Sequence, residues 1–116
     1  MNLLDTGIIV EMLKKRQFKL GCISPIILIE ILRGIDAEKR PSIKERLVKS
    51  FTVINIDDSI IEAYCELYRK LKQEGALLPD ADLLIAATAI AHNLPLETND
   101  DHFQRLKALG LELSTS

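Results

Sequence analysis

The chain has no tryptophan, and aromatic residues make up only 4% of its 116 positions. That scarcity excludes a base-stacking platform of the kind single-strand binders build from aromatic rings. No apolar run approaches the roughly 18 to 20 residues that span a bilayer, so no membrane segment is predicted. The N-terminus, "MNLLDTGIIVEMLKKR", has no basic stretch ahead of its apolar part and meets an acid early; a secretory signal is not expected. Cys22 and Cys65 form no CxxC and read as reduced thiols of a cytoplasmic protein. Charge of neither sign dominates: 15 basic against 17 acidic residues give a net charge of −2. Bulk charge alone therefore cannot grip nucleic acid, although a bound metal with a local basic rim still could. No phosphate loop and no Ser-His-Asp arrangement is present. His92 and His102 fall on different elements without a thiolate partner, so zinc is not suggested.

Hydrophobic residues make up 47% of the chain and charged residues 28%, the balance of an ordinary globular protein, and the length suits one domain over 1–116. "NLLD", 2–5, reads as a first strand, with Thr6 able to cap the helix that follows. "FKLGCIS", 18–24, reads as a second strand. Ser24 and Pro25 then start a helix that stops at Gly34. A short charged helix begins near Pro41, and "FTVINID", 51–57, is the strand with the clearest β-branched character. Asp57, Asp58 or Ser59 caps the next helix, whose stripe is Ile60, Ile61, Tyr64, Leu67, Tyr68 and Leu71. "LLIAATAIAH" is apolar all round and reads as a central helix. "LPLET", 94–98, is a fourth strand, "NDDHFQRLKALG" a last helix, and "LEL", 111–113, a short fifth strand. Strands alternating with helices predict an α/β domain with a mainly parallel sheet covered on both faces.

Within "SPIILIEILRG", Glu30 is the one charge among six aliphatic residues. A lone carboxylate on an apolar helix is expensive unless something pairs with it. Arg33, one turn on, is the ordinary candidate. The remaining acids fall where such sheets bind ligands, outside the carboxyl ends of the strands. Asp5 closes strand one, Asp82 opens the small-residue helix, and Asp100 follows strand four. Each has a plain alternative as a helix cap, and Asp80 competes with Asp82 for the first turn of its helix. Glu30 alone has no such reading. Clustered carboxylates repel, and a hard divalent cation would remove that penalty.

"LLDTGIIVEML", "ISPIILIEILRG", "LPDADLLIAATAIAHNLPLETNDDHF" and the closing "GLEL" together resemble the PIN-domain family, and within it the VapC-type toxin ribonucleases. The resemblance runs from end to end and is most specific over "DLLIAATAIAHNLPLETND". It implies a three-layer α/β/α fold with a five-stranded parallel sheet in the order 3-2-1-4-5. It implies that Asp5, Glu30, Asp82 and Asp100 are the catalytic, metal-binding acids, with Asp80 a lesser candidate, and that Thr6 and Thr98 flank them. Arg33 and the Lys14–Arg16 cluster are candidates for phosphate contact. Where many relatives carry a further acid, this chain has His102. The implied activity is Mg2+- or Mn2+-dependent endoribonuclease cleavage of RNA, leaving a 5′-phosphate and a 3′-hydroxyl. The implied partners are a second copy of the chain, in a homodimer, and a small VapB-type antitoxin. Two other readings use the same residues. One is a non-catalytic PIN scaffold or binding module. The other is a phospho-receiver domain with Asp57 as its acceptor, which lacks the acid pair at strand one and the lysine after strand five.

Overall fold

Short strands alternate with helices along the computed structural model, which describes residues 1–114. In chain order they are β1 (Leu3–Leu4), α1 (Thr6–Lys15), β2 (Cys22–Ile23), α2 (Pro25–Leu32), α3 (Arg40–Ser50), β3 (Thr52–Val53), α4 (Asp58–Gln73), α5 (Asp80–Ala91) and β4 (Leu96–Glu97). A 3₁₀ helix, Asp101–Leu109, follows. The sheet is parallel in the order β3-β2-β1-β4. The first four positions of the expected order are thus in place, but among the described residues the sheet has four strands where five were expected. "LEL" joins as a parallel bridge, Leu96 with Leu113. Two bonds of this bridge run from Leu96 N to Glu112 O and from Ser114 N to Leu96 O, one rung of ladder among the described residues.

Local chemistry sets most of the element ends. Ser24 caps α2 by accepting from Ile27 N, and Pro25 takes the first helical position, where no N–H is needed. Asp57 caps α4 by accepting from Ile60 N at 2.9 Å. Gly110 closes the 3₁₀ helix in the left-handed region, at φ 107°. Two expectations shift. The cap of α1 is Asp5, whose side chain accepts from Thr6 N, so Thr6 is the first helical residue and not the cap. Helix α2 ends at Leu32 with Arg33 in right-handed geometry as its C-cap, so Gly34 lies beyond the stop and does not make it.

Helix α5 is the central helix that its composition predicts. Leu83, Ile85, Ala86, Ala87, Thr88 and Ala89 are all buried along it, and each fully buried leucine or isoleucine contributes about 1.5–3 kcal/mol. Thr88 meets its polar need inside the helix, donating to Leu84 O at 2.7 Å. Its small residues let α4 pack closely against it through Ile60, Leu67 and Leu71. Ile61 and Tyr68, expected on the same stripe, are exposed. Gly21 precedes β2 because a Cβ there would sit 2.5 Å from Leu4 Cδ1, inside the fully buried β1. Cys22 is buried and Cys65 exposed, and neither is bonded to the other. Among the described residues no helix is long and apolar enough to cross a membrane.

Candidate active site

All four strand-to-helix joints of a parallel sheet open at the same edge, so the fold gathers the joint residues before any side chain is considered. Asp5 follows β1 and caps α1. Asp100 follows β4 and caps the 3₁₀ helix, accepting from His102 N at 3.3 Å. Asp82 sits in the first turn of α5, where the helix dipole favours a carboxylate. The capping roles of Asp5 and Asp100 are therefore compatible with convergence, because topology brings these joints together, and Asp82 reaches them from the first turn of α5. Glu30 is different. It lies in the last turn and a half of α2, caps nothing, and still lines the same cleft of about 560 Å³ as Asp5, Asp82 and Asp100.

A single run of hydrogen bonds joins the four acids. Thr6 Oγ1 donates to Glu30 Oε1 at 2.8 Å, and Thr6 N donates to Asp5 Oδ1 at 2.8 Å. Thr98 Oγ1 donates to Asp5 Oδ2 at 2.6 Å while accepting from Asp100 N at 3.0 Å. The His102 ring then lies between Asp100 and Asp82, Nδ1 against Asp100 Oδ1 and Nε2 3.0 Å from Asp82 Oδ2. Thr6 and Thr98 thus stand beside the acids, as the resemblance implies. They fix Asp5 from both sides.

Two expectations change. Asp80 lies outside the cleft, accepting from Tyr64 OH at 2.6 Å. That bond to a carboxylate is the main reason the Tyr64 phenol is pushed up to about 12. Two residues along a helix turn by about 200°, so Asp80 and Asp82 cannot share a face. Arg33 forms no ion pair with Glu30 among the described residues; it lines a separate groove with Leu28, Ile29, Arg40 and Lys44. Lys14 does come near Glu30, at a groove they share with Ile31, Ile43 and Arg46, and Arg46 is a basic neighbour that sequence patterning missed. His92 is exposed at the C-cap of α5, and its Nε2 meets Asp57 Oδ2 at 2.8 Å. The Ser59 hydroxyl, the Ile60 N–H and His92 together hold the Asp57 carboxyl down at about 2.

The donor set suits a hard, partly hydrated divalent cation. It is all oxygen apart from His102, and no lysine or arginine among the described residues pairs with any of the four acids. Glu30 Oε2, Asp82 Oδ1 and Asp100 Oδ2 accept no hydrogen bond among the described residues. Among those residues no three His, Cys, Asp or Glu side chains already converge on one point. A cation that keeps several waters, as Mg2+ does, needs only one or two direct carboxylates.

A parallel α/β sheet with acids gathered at its carboxyl edge defines a class, and sequence comparison makes it specific. The PIN-domain profile matches residues 3–109, and the chain belongs to the PIN-domain family. It is 42% identical over 115 residues to Ribonuclease VapC1 of Methanocaldococcus jannaschii, covering 96% of this chain and 85% of that one. Among solved structures it resembles VapBC2 from Rickettsia felis bound to a DNA fragment from its promoter. There the TM-score is 0.77 and the identity 29%, covering 97% of this chain and 96% of that one. It also resembles a toxin–antitoxin complex from Klebsiella pneumoniae, with a TM-score of 0.70 and 25% identity, covering 89% and 90% of the two chains.

Proposed function

We propose that this protein is a toxin-type endoribonuclease that hydrolyses RNA phosphodiester bonds with Mg2+ or Mn2+ held by Asp5, Glu30, Asp82 and Asp100. The observation that carries this reading is Glu30. It is a carboxylate on an apolar helix, with no ion-pair partner among the described residues, hydrogen-bonded through Thr6 to the Asp5 loop. The similarity to Ribonuclease VapC1 of M. jannaschii supports RNA as the substrate. When bound, the divalent cation supplies charge stabilisation at the scissile phosphate and a more acidic water.

The chain's own residues set the geometry. Asp5 is locked by Thr6 N and Thr98 Oγ1, so its carboxylate needs little reorganisation during the reaction. Glu30 keeps one oxygen on Thr6 and the other free, the arrangement of a group that orients water or takes its proton. Lys14 and Arg46, beside Glu30, would hold neighbouring phosphates as an RNA strand leaves the cleft. A VapB-type antitoxin as partner is supported by the likeness to the R. felis VapBC2 and K. pneumoniae complexes. A homodimer is part of the same proposal, checked by the mass of the protein in solution.

The test is cleavage of RNA with Mg2+ or Mn2+ by the wild type, Asp5→Asn and Glu30→Gln. Each variant is expected to lose on the order of 10²–10³-fold in rate. Cleavage that survives both changes would overturn the assignment of the acids, and a wild type that cleaves no RNA would leave the non-catalytic PIN reading in its place.

A further inference from the structure

We propose that His102 is a nitrogen ligand of the cation in this cleft, and that it tilts the site from Mg2+ toward Mn2+ and later divalent ions. The inference rests on the metal-binding reading above. Three observations carry it. The ring is held rather than free: it stacks on Phe103 with centroids 4.6 Å apart and planes 28° apart, and Phe103 is fully buried. Its Nδ1 faces Asp100 Oδ1. A metal-ligating histidine almost always gives its other N–H to a carboxylate, which fixes the tautomer and turns the ligating nitrogen outward. Finally, Nε2 lies 3.0 Å from Asp82 Oδ2. With Nδ1 as donor to Asp100, Nε2 and Oδ2 are two acceptors facing each other, and a proton or a cation must lie between them. Adjacent donors in an octahedron with bonds of about 2.1 Å are about 3 Å apart, so this pair already matches one edge of such a site.

The consequence is selectivity. An all-carboxylate set suits Mg2+, whereas an imidazole in the set favours Mn2+, Co2+ or Zn2+ relative to it. His102 thus sets a borderline nitrogen beside the hard oxygens of Asp82 and Asp100.

The experiment is pulsed electron paramagnetic resonance on the Mn2+-loaded protein, with calorimetric affinities for Mn2+ and Mg2+, for the wild type, His102→Asp and His102→Asn. The wild type is expected to show nitrogen-14 coupling to Mn2+, and both variants to lose it. The preference for Mn2+ over Mg2+ is expected to fall by about tenfold or more in both. Melting curves confirm that the variants fold, and two different replacements guard against loss of structure at one of them. Mn2+ bound without nitrogen coupling in the wild type overturns the role of His102 and leaves the acid site standing. Coupling that persists in both variants overturns it as well. Failure of the wild type to bind Mn2+ at all overturns both the role of His102 and the metal site itself.

Discussion

Glu97 ends β4 and Asp5 directly follows the adjacent β1, the two joined by Asp5 N donating to Glu97 O at 3.0 Å. Their carboxylates are treated in opposite ways. The Glu97 side chain is only 7% exposed, and Lys19 Nζ and Asn2 Nδ2 both reach it. Burial is answered there by a cation from the chain, the usual condition for keeping a charge inside a protein. Asp5, Glu30, Asp82 and Asp100 share one cleft and are answered by two threonine hydroxyls, backbone N–H groups and a histidine. No lysine or arginine among the described residues forms an ion pair with them, although Lys14 lines a groove with Glu30 and the chain places Lys19 on the neighbouring acid. A cluster whose mutual repulsion no basic side chain offsets is the arrangement that the proposed cation would stabilise. The difference separates a carboxylate that holds the sheet from the carboxylates proposed to hold the cation.

The largest effect should come from removing charge in the cleft. Asp5→Asn keeps the cap geometry of α1 and is expected to cost on the order of 10²–10³-fold in cleavage rate, with a melting temperature close to that of the wild type. Glu97→Gln should do the reverse. It is expected to lower stability by about 1–2 kcal/mol in a denaturant titration, since it loses a charge-assisted bond, while each folded molecule still cleaves RNA at the wild-type rate.

The smallest effect concerns Asp57, an exposed acid outside both regions. Its folded value, about 2, lies below the ordinary value of 3.8, so the unfolded chain binds more protons between those two values. The Asp57 cap of α4, held mainly by the Ser59 hydroxyl and the Ile60 N–H, is therefore fully stabilising above about pH 4 and is lost as the pH falls toward 2. Asp57→Asn should flatten the stability profile in that window and leave it unchanged near neutrality.

Much of this was legible in the sequence where the governing chemistry is local. Ser24–Pro25, Asp57 and Gly110 announce element ends because caps and left-handed stops act within a few residues. Asp5 and Asp100 were legible because the ends of parallel strands open at one edge of the sheet, whereas Glu30 was legible as the one acid on an apolar helix and Asp82 as a first-turn acid of the small-residue helix. Strand length was not. "FKLGCIS" yields only Cys22–Ile23, with Phe18 and Leu20 exposed, because ladder length depends on a partner, and β1 offers two residues. The pairing of Arg33 with Glu30 also looked local, at one turn of spacing, but Arg33 falls at the C-cap and its groove is on another face. Lys19 with Glu97, and His102 between Asp82 and Asp100, join residues distant in sequence or set by ring orientation, which no periodicity records.

The contrast between the two kinds of carboxylate is tested most directly by a Mn2+ titration followed by melting temperature in the wild type, Asp5→Asn and Glu97→Gln. A ligand present at 100 times its dissociation constant stabilises the folded state by about 2.7 kcal/mol. The wild type and Glu97→Gln are expected to rise together by a shift of that order, while Asp5→Asn stays nearly flat. An equal rise in all three proteins, or a rise that disappears in Glu97→Gln alone, would contradict the assignment of the cation to the cleft acids.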